Sequence, residues 1–407
     1  MMSDLAASRT HTDWPVIAVL FTAGLVAAMQ FGKVAPIMVE VQQAFGLDLV
    51  GAGFAVSILG LIGLVFGVSA GAVVASIGFK RALMIALFGG AAMAAIGAIA
   101  PNGAVFLATR LAEGFSHLLI VVAAPALMTA HSTRKDMPFV LAIWGCFFGF
   151  GFGIISLVAP EIVALGGWRA LLGAHAVAVA LTGVALVLAL ARSGYQEATF
   201  PLPKLRGLIA AHATLYRSRA PLILAILFAV YTLPFLAVLT FLGRYLVEVQ
   251  GWSAAATGSF IAGMTLVNLA ATLSVGALVR WGVSLKFAMI ISFVVLAASI
   301  AAIFLLQPNN TAVIAFTIIA MIAFGMMPGY VFVTVPDVAP DAAKGAMTYG
   351  GLAQFGNIGT FAGTPLFAFA YGEAGWPGGT AFVVAVCMSG IAATIALVAA
   401  LKKSEPA

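Results

Sequence analysis

Four ionisable residues stand inside stretches that are otherwise apolar. Lys33 lies in "MQFGKVAP", and Arg110, Glu113 and His117 lie in "TRLAEGFSHLL". In a helix, positions three, four and seven apart share a face, so Arg110, Glu113 and His117 form one stripe. Two cations beside one carboxylate make a site with excess positive charge. The chemistry open to it is attraction of an anion, with Arg110 suited to bidentate contact with a carboxylate and Lys33 as a second charge. Glu113 can carry a coupling proton, since its charge state is a balance between burial and neighbouring cations. His117 is the alternative carrier, because imidazole titrates near neutral pH. The same charges could instead be an ion pair that fastens one helix to another.

The elements that position these residues follow from composition. Of 407 residues, 63% are hydrophobic and 8% charged, where an ordinary soluble domain is about one-quarter charged. The mean hydropathy of +1.15 places the chain among polytopic helical membrane proteins. A β-barrel would need strands of alternating polarity, and runs such as "AVFLATRLAEGFSHLLIVVAAPALMTA" do not alternate. A span takes about 20 apolar residues. Hydropathy gives twelve: 15–41, 50–75, 81–100, 103–130, 138–163, 170–192, 221–246, 254–279, 285–306, 311–334, 345–371 and 376–401. Asp13 is placed to cap the first, with Pro15 in its first turn. Trp14, Trp168, Trp252 and Trp376 fall near span ends, as interfacial rings do. At a rise of about 1.5 Å per residue, Arg110 lies about 10 Å, Glu113 about 15 Å and His117 about 21 Å into the fourth span. Lys33, about 12 Å from the same face in the first span, shares the level of Arg110 and Glu113. Charges at such depth are costly and must face other helices or a water-filled cavity.

Orientation follows from the cations. With the N-terminus cytoplasmic, Arg9, Lys80, Arg81, Arg134, Lys135, Arg192, Lys204, Arg206, Arg217, Arg219, Arg280, Lys286, Lys344, Lys402 and Lys403 all lie on that side. Arg169 and Arg244 fall near the other face. This satisfies the positive-inside rule and places both termini in the cytoplasm, with a short N-terminal tail ahead of a retained first span. The net charge of +6 therefore belongs to membrane topology, and no nucleic-acid partner is expected. The polar stretch 193–220 divides the chain into halves of six spans: residues 1–192, a cytoplasmic linker at 193–220, and residues 221–407. Each half carries a similar piece after its second span, "GAVVASIGFKRAL" from Gly71 and "GALVRWGVSLKF" from Gly276. Matching halves suggest an internally duplicated transporter.

These pieces resemble the major facilitator superfamily, over essentially the whole chain. Gly71, Gly78, Lys80 and Arg81 are similar to the family's loop signature between its second and third helices, where they imply a part in the conformational switch; the signature's acidic position is Ala75 here. "RLAEG" from Arg110 resembles the fourth-helix pattern. "GCFFGFGFG" from Gly145 resembles the Gly-rich fifth-helix pattern of many exporters, without its proline. "GKVAP", "GGWR" and "LAQFGNIGTFAGTPL" look loosely like bacterial carriers of the cyanate and nitroimidazole permease type. The resemblance implies an all-α integral membrane fold of twelve transmembrane helices in two pseudo-symmetric six-helix bundles, with helices one, four, seven and ten lining the cavity.

On this reading Lys33, Arg110, Tyr231, Tyr330, Asn268, Gln354 and Asn357 are candidates for substrate binding, and Glu113 and His117 for proton coupling. Asn268, Gln354 and Asn357 equally suit interhelical hydrogen bonds. Gly145, Gly149 and Gly153, spaced by four, suit close helix contact. Cys146 and Cys387 have neither metal-ligand nor disulfide spacing, and neither metal nor cofactor is expected. The sequence contains no G-x-x-x-x-G-K-[ST] nucleotide loop. His117, His131 and His175 are scattered, so an integral membrane enzyme lacks its catalytic cluster, and a channel fits two similar halves less well than a rocking carrier. The expectation is a monomeric, proton-coupled secondary transporter of a small organic anion in the bacterial inner membrane. Drug efflux is the competing function.

Overall fold

Short polar residues set where the helices begin. Asp13, Asp48, Asn102, Ser253, Ser284 and Asn309 each cap a helix, the side-chain oxygen accepting the backbone N–H three residues on. Between the caps the sequence is apolar on nearly every face, as a helix surrounded by lipid and other helices requires. The structure is a computed structural model and describes residues 11–133, 135–197, 207, 213–307, 309–339 and 342–402. The cations Arg9, Arg134, Lys204, Arg206 and Lys403, and half of the predicted linker 193–220 (198–206 and 208–212), lie outside the described residues.

In chain order the helices are α1 (Trp14–Gly32), a 3₁₀ turn (Ala35–Ile37), α2 (Met38–Phe45), α3 (Leu49–Ser57), α4 (Gly60–Ile77), α5 (Phe79–Ala98), α6 (Gly103–Ala130), α7 (Met137–Gly145) and α8 (Phe147–Arg192). There follow α9 (Arg219–Glu248), α10 (Ala254–Arg280), α11 (Leu285–Leu306), α12 (Asn310–Val333), α13 (Val335–Val338) and α14 (Ala342–Lys402). Among the described residues, nine helices are long and apolar enough to cross a membrane, or ten if the pair Leu49–Ser57 and Gly60–Gly67, bent by 55°, is one crossing.

The helices α5, α6 and α9 to α12 follow the predicted spans closely. Elsewhere the backbone departs from them. The first span, expected as one helix over 15–41, breaks after Gly32. Pro36 has no N–H for the Gly32 carbonyl and its ring excludes a continuing helix, so the chain tightens into the 3₁₀ turn, with the Ile37 N–H on the Val34 carbonyl at 3.1 Å. The helices α8 and α14 run to 46 and 61 residues, each with two residues off helical geometry inside, Gly166–Gly167 and Ala374–Gly375. In both breaks the second residue is a glycine at positive φ followed by tryptophan, Gly167 at +70° and Gly375 at +63°. The parallel extends to other connections: Gly46 and Gly251, and Gly78 and Gly282, also take positive φ. These turns recur in the same order along the two halves.

Close packing divides the chain into two units, residues Met1–Gly46 with Ser69–Lys204, and Leu47–Val68 with Leu205–Ala407. In the first, α1, α5, α6 and the second half of α8 share a core that includes Leu20, Ala27, Leu83, Leu87, Leu127 and Leu186. In the second, α9 lies along α14 through Gly359 and Gly363; a Cβ at Gly363 would fall 1.9 Å from the Leu233 carbonyl oxygen. Leu47–Val68 joins this unit through hydrogen bonds from Ser57 Oγ to the Phe361 carbonyl (2.8 Å) and from Gln354 Nε2 to the Leu64 carbonyl (2.9 Å). Outward faces are apolar. Val177, Leu181, Val184 and Leu188 on α8 form one exposed stripe, and Phe287, Ile291 and Val294 form another on α11. Continuous apolar surface of this kind suits lipid.

Candidate functional site

The break in the first span creates the setting for the charged cluster. At the end of α1 the last carbonyls lose their helical donors, and the negative end of the helix dipole favours a cation. Lys33 sits there as the C-cap, its N–H on the Met29 carbonyl at 2.9 Å. Side chains from α6 and α8 take up carbonyls on one face of α1. Arg110 Nη2 donates to the Gln30 carbonyl. His117 Nδ1 lies 2.9 Å from the Ala27 carbonyl and His175 Nε2 lies 3.0 Å from that of Val26. A carbonyl only accepts, so each of these ring nitrogens carries its proton.

Glu113 joins the two helices. One of its carboxylate oxygens accepts from Lys33 Nζ and the other from the Arg110 guanidinium. His175 Nδ1 lies 3.2 Å from Lys33 Nζ; facing an ammonium donor, it presents its lone pair. Lys33 is 0% exposed, and Arg110 and Glu113 are 1%. Among the described residues these are the only charged side chains that are buried, and all three are in contact. Close helix approach makes this possible. A Cβ at Gly32 would meet Ile155 at 2.6 Å, and one at Gly151 would meet the Leu25 carbonyl oxygen at 2.6 Å, so glycines let α1 and α8 touch. Of Gly145, Gly149 and Gly153, expected at close helix contacts, Gly145 borders open space, since a Cβ there would meet nothing within 4 Å.

Two side chains that sequence reading did not place in the site belong to it. His175 is one. Gln30 is the other: its Nε2 donates to Ser116 Oγ at 2.9 Å, and its buried Oε1 has no partner among the described residues. The available signal was the one that singled out His117, a lone polar residue in an apolar span.

The remaining candidates lie in the second unit. Tyr231 is buried among Phe228, Phe235 and Phe324. Tyr330 is buried on α12, and its hydroxyl has no partner among the described residues. Asn268 donates to the Met321 carbonyl at 3.2 Å, joining α10 to α12. Gln354 holds Leu64, as above, and Asn357 donates to the Ala353 carbonyl of its own helix at 2.8 Å. Asn268 and Gln354 thus already join helices, and Asn357 bonds within its own.

In the loop between α4 and α5, Gly78 has a φ of +99° and a Cβ there would lie 2.6 Å from Glu197 Cδ. The Glu197 carboxylate accepts the backbone N–H groups of Lys80 (2.9 Å) and Arg81 (3.1 Å), capping α5. Gly71 borders open space. Glu197 was not anticipated; it supplies a carboxylate to a loop whose signature position is Ala75. Burial together with the Glu197 charge pushes the neighbouring Tyr195 hydroxyl up to about 12.

Comparison with known proteins agrees with this architecture. No curated protein matches the chain in sequence. Among solved structures it is similar to a bacterial homologue of the human lysosomal transporter Spinster in an inward-facing, occupied conformation, with a TM-score of 0.72, 14% identity and 95% of each chain covered. It is likewise similar to a D-xylose–proton symporter, with a TM-score of 0.73 and 15% identity over 94% of this chain and 97% of that one. A sequence model of the Major Facilitator Superfamily matches residues 20–356. The all-helical apolar fold, its structural relatives and that match together make the chain a membrane transporter, not an enzyme, and it belongs to the major facilitator superfamily.

Proposed function

We propose that the protein is a proton-coupled secondary transporter of a small organic anion, and that Lys33 and Arg110 bind it. The observation that carries this reading is the closed cluster itself, two cations around one carboxylate with no water-exposed surface. Burying charge in this way is not a route to stability, because desolvation offsets the attraction. A substrate with one negative charge would balance the excess. Arg110 can rotate from Glu113 toward a carboxylate, and Lys33 stays within reach as a point charge. Tyr231 and Tyr330, and with them Asn268, Gln354 and Asn357, remain candidates for substrate contact, although Asn268 already bonds the helix that carries Tyr330. Glu113, with His117 behind it, ties the charge state of the site to the contact between α1 and α6.

Alternating access follows from the family. Dividing α8 and α14 at their non-helical residues, with the bent pair as one crossing, supports twelve crossings in two repeats, residues 1–192 and 221–407, joined at 193–220. The cation distribution supports cytoplasmic termini and an inner-membrane location, and a single chain suffices for the cycle. The loop at Gly71, Gly78, Lys80 and Arg81, clasped by Glu197, would open and re-form as the cycle turns.

Uptake by the purified protein in liposomes tests the proposal. Acetate, lactate and benzoate, offered singly under an imposed pH gradient, should include at least one that accumulates, and Arg110→Met should abolish it. Accumulation of cationic dyes alone would favour drug efflux instead.

A further inference from the structure

An ammonium has three N–H donors. Lys33 uses one on Glu113 and one on His175 Nδ1, and the third has no acceptor among the described residues, although the side chain is 0% exposed. The cluster around it carries one positive charge too many. No second buried carboxylate is present among the described residues to meet that charge. Around Lys33 stand Glu113 and Arg110 from α6 and His175 from α8, with His117 one turn further along α6 on the Ala27 carbonyl; α7, which also packs on α1, brings no titratable group. An uncompensated buried charge is costly, so without an anion the site is expected to shed a proton.

Each group but one is prevented from doing so. The Arg110 guanidinium does not release a proton in proteins. Both Glu113 oxygens accept from cations, which leaves neither as a donor. His175 is held neutral, since Nε2–H donates to the Val26 carbonyl while Nδ1 accepts from Lys33. His117 spends its proton on the Ala27 carbonyl. Lys33 can lose its third, unpartnered proton and keep both of its hydrogen bonds as a neutral amine.

We infer that the coupling proton rides on Lys33 Nζ, with His175 as the positioning residue that aims the third valence of the nitrogen at the incoming anion. This rests on reading the cluster as the anion site. Without an anion the site then holds Lys33 as the amine. A monoanion entering from one side brings one proton from water, which takes up the amine lone pair and forms the ammonium; on the other side the anion leaves and the proton follows. No other bond forms or breaks. One anion and one proton cross together, and transport is electroneutral.

The test uses the detergent-purified full chain in weakly buffered solution with a pH indicator, and acetate, lactate and benzoate as probes. In the wild type, binding should take up about one proton per anion, and accumulation in liposomes should follow the pH gradient and ignore membrane potential. Lys33→Arg, which cannot release its proton, should bind the anion without proton uptake. It should exchange labelled for unlabelled anion but fail to accumulate it. Glu113→Gln leaves the Arg110 charge unbalanced before binding, so the anion alone should balance it and proton uptake should fall. The inference is overturned if Lys33→Arg accumulates the anion like the wild type. Proton uptake on binding that is kept in Lys33→Arg would also overturn it. So would wild-type binding without proton uptake, a result that needs no variant to fold, or stabilisation of the empty protein by chloride without proton exchange. If none of the probes binds the wild type, the anion reading itself has failed, a result distinct from binding without proton uptake.

Discussion

Removing charge from either side of the buried cluster separates a binding site from a helix fastener. In Lys33→Met, Glu113 keeps the Arg110 guanidinium. The apolar side chain follows the path of the lysine stem, and His175 Nδ1 loses its donor. An unsatisfied buried acceptor costs about 1–3 kcal/mol. In Glu113→Gln the Arg110 guanidinium stays buried while its counter-charge is gone, and breaking a buried pair in this way costs about 3–5 kcal/mol. Thermal unfolding of the detergent-purified full chain should therefore rank wild type above Lys33→Met, and Lys33→Met above Glu113→Gln. Carboxylate accumulation in liposomes should not follow that order, because Lys33→Met loses it almost completely while remaining folded. A fastener would behave differently, with transport declining only in step with stability. The reasoning is refuted if Lys33→Met unfolds at or below the Glu113→Gln midpoint, or if it accumulates carboxylate as the wild type does.

Three further outcomes concern the frame around the site. Glu197→Ala removes two acceptors from the start of α5 and should cost about 1 kcal/mol, the usual value of a lost cap; Glu197→Gln should cost less, and equal unfolding midpoints for all three proteins would contradict this. Gly363→Leu places carbon against the Leu233 backbone, where only helix separation gives relief, and should destabilise by at least about 1–3 kcal/mol; an unchanged midpoint would be inconsistent with the packing of α9 on α14. Asp136 accepts hydroxyl hydrogen bonds from Thr12 (2.6 Å) and Thr133 (3.0 Å), which hold its carboxyl below the usual carboxylate range. A group lowered on folding stabilises above its unfolded value of about 3.9 and loses that contribution as pH falls. Unfolding midpoints of Asp136→Ala and wild type should thus differ most near neutral pH and converge below about pH 4; divergence on acidification would reverse the sign.

Much of this arrangement is legible from residue types alone. Lys33, Arg110 and Glu113 declare themselves because charge in an apolar span needs a partner, and helical rise places all three at one depth. His175 does not, since an isolated histidine in a span reads the same whether it packs or binds, and only the fold puts it beside Lys33. Pro36 foretells the break in the first span, yet hydropathy averages over it and returns one continuous helix. Glu197 hides in a polar connection where acidic residues carry no pattern; its meaning depends on Gly78 leaving room for the carboxylate. Asn268 and Gln354 show the opposite case, polar residues in spans whose hydrogen bonds go to neighbouring helices. The paired glycine turns of the two halves are visible in sequence only at the Gly71 and Gly276 pieces, whereas backbone angles reveal the rest.

The most direct measurement is uptake by liposomes containing the full-length protein, with carboxylates and cationic dyes offered separately under the same inwardly directed proton gradient. The account predicts that a carboxylate accumulates in wild-type liposomes, that Lys33→Met and Arg110→Met do not accumulate it, and that the dyes stay out. Dye movement by the wild type, or carboxylate uptake undiminished in both variants, would contradict it.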